Sequence, residues 1–178
     1  MTANVFRAAV HTLRRCLPTS KPLPTTVAKV DLDRFMGTWF EVARLPNLEA
    51  DAFGQRGVDV TANYGKRPDG QISVQTISYN ANARMRRTEV NGAARPTNPG
   101  RSQLLLTFYG VIRGRLWVVG LDKDYRWALM GTPSRRRLWL MARSPRLPPA
   151  DYDRAMAIAA ERGYDTARVR PTPQSSAD

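Results

Sequence analysis

One cysteine and one histidine are all that 178 residues hold of the two side chains on which much metal and nucleophile chemistry rests. A lone Cys16 permits no internal disulfide, no thiolate zinc cage and no dithiol couple. The only histidine, His11, lies in an unpatterned N-terminal stretch, which argues against a Ser-His-Asp triad, a histidine-rich metal site or a histidine general base in the folded body. Long apolar runs are also missing. No window approaches the roughly 18 apolar residues that a membrane-spanning helix needs. Nor is there a Gly-x-Ser-x-Gly elbow, a phosphate-binding loop or a dinucleotide fingerprint, so the sequence offers no catalytic residue, no cofactor site and no metal site.

Lysine is scarce, arginine is not. The chain carries 28 basic residues against 15 acidic ones, a net charge of +13, and only four of the 28 are Lys. The arginines are scattered, with Arg84-Arg86-Arg87 and Arg135-Arg136-Arg137 as the local clusters. A nucleic-acid reader more often shows a continuous basic face interleaved with aromatics. A solvated basic surface with no specific nucleic-acid partner is the expectation, and peripheral contact with anionic lipid is the alternative.

The first 29 residues read as a targeting or tether segment. Residues 1–16 hold a short apolar patch interrupted by Arg7, His11, Arg14 and Arg15, and residues 17–29 carry three prolines with no periodicity, as an extended flexible linker would. A folded domain is expected over residues 30–174, followed by a disordered tail at 175–178.

Eight short strand candidates fill that domain, at 39–45, 58–64, 72–78, 88–94, 103–108, 116–122, 127–130 and 138–143. Turn signals such as Pro68-Asp69-Gly70, the segment 96–100, the segment 110–114 and Gly131-Thr132-Pro133 separate them. Alternation is clear in some: Val58, Val60, Ala62 and Tyr64 share one face, and Ile72, Val74 and Thr76 oppose Ser73, Gln75 and Ile77. In Leu104-Leu105-Leu106, Leu116-Trp117-Val118-Val119 and Leu138-Trp139-Leu140-Met141 both faces are apolar, so an outer layer must cover those strands. A helix over 151–162 can do so. It has Tyr152, Ala155, Met156 and Ala159 on one side, prolines before it, and Gly163 placed to cap its end. Eight antiparallel strands close into a barrel wide enough for packed side chains or one small ligand.

Three blocks carry a family resemblance. Residues 35–47, with Gly37-Thr38-Trp39-Phe40-Glu41 and Ala43-Arg44-Leu45-Pro46-Asn47, resemble the opening motif of lipocalins, in the form found in the bacterial lipocalin (Blc) and apolipoprotein D branch. Residues 121–131, centred on Asp124-Tyr125, resemble the second motif, and 138–145, containing Arg143, the third. The resemblance implies an all-β, eight-stranded antiparallel up-and-down barrel of the lipocalin or calycin type, with one C-terminal helix packed outside. It implies that Arg143 stacks on Trp39 at the barrel floor, and that Gly37, Asp124 and Tyr125 are structural. It further implies a location at the cell envelope, at the periplasmic side of the outer membrane, with Cys16 as a possible lipidation site. Here the sequence departs from the branch: Leu13-Arg14-Arg15-Cys16 lacks the small residues of a lipoprotein signal, and without a working signal the protein would be cytoplasmic. The paired cysteines of many relatives are also absent.

With Trp39 and Arg143 inward, alternation assigns Glu41, Ala43, Val60, Ala62, Tyr64, Val74, Leu104, Leu106, Phe108, Trp139 and Met141 to the lumen. Such a lumen suits the acyl chain of a fatty acid or lysophospholipid. Three readings stand: a carrier of such a ligand, as monomer or homodimer; a basic surface-interaction protein that binds anionic membrane or nucleic acid, with a collapsed barrel; and a lipid-modifying enzyme built around Glu41. The lone carboxylate, without a partner for acid/base work, disfavours the last.

Overall fold

Residue-by-residue alternation of apolar side chains favours strands that cover a core with one face, and closing the sheet removes the edges that would otherwise seek partners. A computed structural model describes residues 22–46, 57–80 and 86–175. Within them run β1 (Gly37–Arg44), β2 (Gly57–Lys66), β3 (Ile72–Asn80), β4 (Arg86–Pro96), β5 (Gln103–Phe108), β6 (Ile112–Leu121), β7 (Trp127–Gly131) and β8 (Leu138–Ala142). Each pairs antiparallel with the next, and β1 pairs with both β2 and β8, so the barrel is closed. A short β9 (Arg170–Pro171) adds to the far end of β1.

Two hydrophobic clusters explain why some strands are apolar on both faces. Inside the barrel Phe35, Trp39, Tyr64, Val74, Leu104, Val118 and Met130 pack together. Outside it, Ala43, Trp117, Val119, Trp127, Leu129, Leu138 and Leu140 meet Ala155 and Ala159 of helix α2 (Pro149–Glu161). Ala155 and Ala159 are wholly buried, and being four apart they present a small-residue stripe that lets the helix lie close on β6 and β7. Each large side chain hidden on this face contributes roughly 1.5 to 3 kcal/mol. The helix starts two residues before the expected position, at Pro149, where a missing N–H costs nothing. It ends at Gly163 (φ +81), whose N–H donates to Ala160 O while Tyr164 N–H donates to Ala159 O.

Three features depart from the sequence expectations. Residues 22–29 are not a free tether: Val27 N–H donates to Val118 O at 3.0 Å, Ser102 Oγ donates to Thr26 Oγ1, Arg135 holds Pro22 O, and Pro24 is buried. Proline-rich backbone is extended and already short of donors, which suits it to lie along a barrel wall. Cys16 and the other residues before 22 lie outside the described residues. At the other terminus Ser175 is bonded through N–H and Oγ to the Asp59 carboxylate, and residues 176–178 lie outside the described residues. A four-residue helix α1 (Leu32–Phe35), capped by the Asp31 carboxylate, precedes β1. It is too short to show periodicity in sequence.

Candidate functional site

The barrel is plugged at the α1 end. Gly37 takes φ +91, which turns the chain from α1 into β1 and brings Trp39 under the barrel. The indole is fully buried, its Nε1–H donates to Phe35 O at 2.8 Å, and the Phe35 ring lies between it and Tyr64, at 5.0 and 5.3 Å. Below it the Arg143 guanidinium sits 3.8 Å from the indole centroid and donates to the carbonyls of Thr38, Arg34 and Met36. Burial lowers the Arg143 pKa, though far too little to discharge a guanidinium.

The second motif braces the same floor. Tyr125 takes φ +60 in the β6–β7 turn, its hydroxyl accepts from Asp31 N–H at 2.8 Å, and Arg34 stacks on its ring. Asp124 supplies a backbone N–H to the Asp122 carboxylate. Asp122 is buried, and burial opposes its charge. Bonds from the Arg126 side chain and backbone and from Asp124 N–H together outweigh that and hold its carboxyl below the usual range.

Above the floor lies a cavity of about 540 Å³. Of the residues assigned to the lumen from sequence, Glu41, Val60, Ala62, Tyr64, Val74, Leu106, Phe108, Trp139 and Met141 line it. Leu104 is buried in the inner cluster, opposite Leu116, but does not line the cavity. Ala43 is on the wrong side of the wall. Glu41 faces Met141 and Ala43 faces Leu140, so β1 has one residue more than β8 between these pairs. That bulge turns Ala43 outward into the cluster under α2, and Arg44, opposite Trp139, takes the inward position. A second bulge, where Asp59 has φ +49, shifts the register of β2 and carries Val58 off the face of Val60.

Several lining residues escaped the sequence reading, among them Ile112, Gly114, Leu116 and Met130. The signal for three of them was present. Ile112, Gly114 and Leu116 alternate on β6, but the segment 110–114 reads as a turn because of its two glycines, whereas the turn itself is only 109–111.

Polarity rises toward the mouth. Tyr64 Oη, deep in the barrel, finds Met130 Sδ at 3.7 Å, and burial pushes its phenol above the ordinary range. Glu41, 3% exposed, accepts from Thr172 Oγ1 at 2.6 Å and has Arg44 Nε at 3.7 Å. Beyond it an outer volume of about 630 Å³, sharing Glu41, Val60, Thr76 and Trp139 with the cavity, is lined by Arg44, Ser78, Arg86, Arg87 and Glu89. Bonds from Asn91, Gln75 and Arg87 pull the Glu89 carboxyl down to about 2, so it stays charged and paired. The result is an apolar chamber with a closed floor, a single engaged carboxylate in its wall and arginines at its opening. Its chemistry is that of enclosure. Among the described residues no cluster of His, Cys, Asp and Glu could hold a metal ion.

A family model described as a lipocalin-like domain matches residues 30–174. The chain is 33% identical over 167 residues to the outer membrane lipoprotein Blc of Citrobacter freundii, covering 91% of this chain and 92% of that protein. It is 31% identical over 166 residues to temperature-induced lipocalin-1 of Arabidopsis thaliana, covering 88% and 86%. Among solved structures, insecticyanin of the tobacco hornworm Manduca sexta superposes with a TM-score of 0.67 at 17% identity, covering 88% of this chain and 86% of that one. The plugged and closed barrel, the outer helix and these matches across most of the sequence make the chain a member of the lipocalin family, whose proteins bind small hydrophobic ligands.

Proposed function

We propose that the barrel carries one long-chain lipid, a fatty acid or lysophospholipid, with its acyl chain on the Trp39–Tyr64 floor and its polar head among the mouth arginines, and that it performs no catalysis. The observation that carries this reading is the cavity of about 540 Å³, apolar below and basic above. A barrel filled with side chains would leave no such volume. Enclosing each methylene contributes roughly 0.8 kcal/mol, so about ten of them match the roughly 8 kcal/mol of micromolar binding. Kinship with Blc supports a place at the cell envelope, where such lipids are at hand.

Gly114 supplies the test. No atom lies within 4 Å of where its Cβ would be, and the position faces the lumen. Gly114→Phe therefore puts a ring into the ligand's space without displacing the wall. Delipidated protein titrated with a long-chain fatty acid or a lysophospholipid should show saturable Trp fluorescence changes at micromolar ligand. Gly114→Phe should abolish them while melting no lower than wild type. Absence of saturation in the wild type, or unchanged binding in Gly114→Phe, would refute the reading.

A further inference from the structure

Among the described residues the large hydrophobic side chains most open to water are Leu23, Tyr109, Val111 and Ile112, and three of these four share one hairpin tip. Tyr109 is 69% exposed, Val111 78% and Ile112 57%. The tip is a built feature. Val111 N–H donates to Phe108 O at 3.1 Å, and the two central residues, Tyr109 and Gly110, have φ +51 and +74. Within the three-residue loop 109–111 these residues form a β-turn with positive φ at both central positions, where Asn or Gly is customary at the first. A bulky aromatic held there breaks the local rule with no packing gain to offset it, as functional positions often do.

The tip has a basic surround. In a barrel of sequential antiparallel strands the end of β3, the start of β4 and the β5–β6 and β7–β8 turns lie at one end, opposite α1. Arg86 opens β4 at that end, Arg113 and Arg115 follow the tip on β6, and Arg136 and Arg137 sit in the β7–β8 turn, all exposed. Among the described residues no carboxylate forms an ion pair with any of these five side chains. We propose that this end of the barrel docks mouth-first on an anionic phospholipid surface, Tyr109, Val111 and Ile112 entering the headgroup boundary and the arginine collar meeting the lipid phosphates.

The dimensions agree. A strand advances about 3.4 Å per residue, so Arg113 and Arg115 trail Ile112 by about 3 and 10 Å, within the 5 to 10 Å depth at which interfacial elements sit. Arg stems can lie along the apolar layer with their heads at phosphate level, and a tyrosine suits the boundary itself. A second copy of the chain is a poorer occupant: one hairpin tip falls far short of the roughly 800 Å² per partner of a stable interface, and two such collars would repel. Aliphatic Val111 and Ile112 also make poor stacking platforms for bases. Ile112, Arg113, Arg115 and Arg137 also line the cavity's rim, so the tip is tested at Tyr109 and Val111, which do not, and the inference does not depend on which ligand fills the lumen.

The test is co-sedimentation of the full chain with vesicles of phosphatidylcholine alone or with one-third phosphatidylglycerol. Wild type should bind the anionic vesicles and lose affinity as salt rises. Tyr109→Asn/Val111→Ser, which alters no residue lining the cavity, should bind them about tenfold more weakly while keeping wild-type fatty-acid titration. Arg113→Gln/Arg115→Gln should flatten the salt dependence, and Gly114→Phe should dock like wild type even though its lumen is blocked. Equal vesicle affinity of the tip variant and wild type would overturn the proposal. So would self-association without vesicles that the tip variant loses, which would reassign the tip to a contact between copies.

Discussion

Removing the Arg143 guanidinium should loosen the barrel floor through two separable losses. The first is the set of bonds to the carbonyls of Thr38, Arg34 and Met36, at 2.8, 2.7 and 2.8 Å. Bonds from a charged donor are worth about 1.5 to 3 kcal/mol each when no water replaces them. Arg143 is half-buried, so water regains part of this, and Arg143→Met should cost about 2 to 3 kcal/mol in all. The second loss is the contact with the Trp39 indole at 3.8 Å, worth about 0.5 to 2 kcal/mol between its exposed and desolvated limits. Trp39→Ala would remove about 3 to 5 kcal/mol by itself, a large share of the roughly 5 to 15 kcal/mol that holds a domain together. Trp39→Phe is the better partner for a cycle, because it keeps a ring on the floor while weakening the cation contact and ending the bond to Phe35 O. Urea melts of wild type, both single variants and the double variant should give a double variant about 1 kcal/mol more stable than the sum of the singles predicts. Additivity within about 0.4 kcal/mol would refute the stacking energetics, whatever the size of the single losses.

Two further outcomes follow from packing and charge. A Cβ at Gly131 would lie 2.3 Å from Tyr164 Oη, which donates to Thr132 O, so Gly131→Ala should lower stability by about 1 to 3 kcal/mol in denaturant melts and leave the lumen's ligand affinity unchanged. Asp122 has its folded pKa below its unfolded value, so its bonds to Arg126 and the turn contribute fully above the ordinary carboxylate pKa of about 3.9 and are lost as pH falls through the lower folded value. The melting temperature should therefore drop more steeply below about pH 4 in wild type than in Asp122→Asn, and parallel acid limbs would count against this role.

The sequence by itself determined the class of fold. Period-two alternation in β2 and β3, turn residues at regular spacing and a small-residue helix before Gly163 leave few architectures open, because each element must bury one face and these faces fit a closed sheet with one helix outside. It also marked the floor, since a Gly-x-Trp opening and a late Arg143 carry a family pattern that needs no coordinates. It could not decide what happens at the bulges. Local propensity does not say where an extra residue enters a strand, and one residue reverses every side chain beyond it. That is why Ala43 exchanges places with Arg44 and why Val58 parts from Val60. Strands apolar on both faces were mute for the same reason: Trp117 and Val118 look alike in sequence, but only the packed helix shows that the first lies outside the barrel and the second within. The cavity itself is a tertiary fact, because the same inward residues could fill a narrower barrel. Here the closed sheet holds its walls apart, and Gly114 contributes no side chain to the space between them.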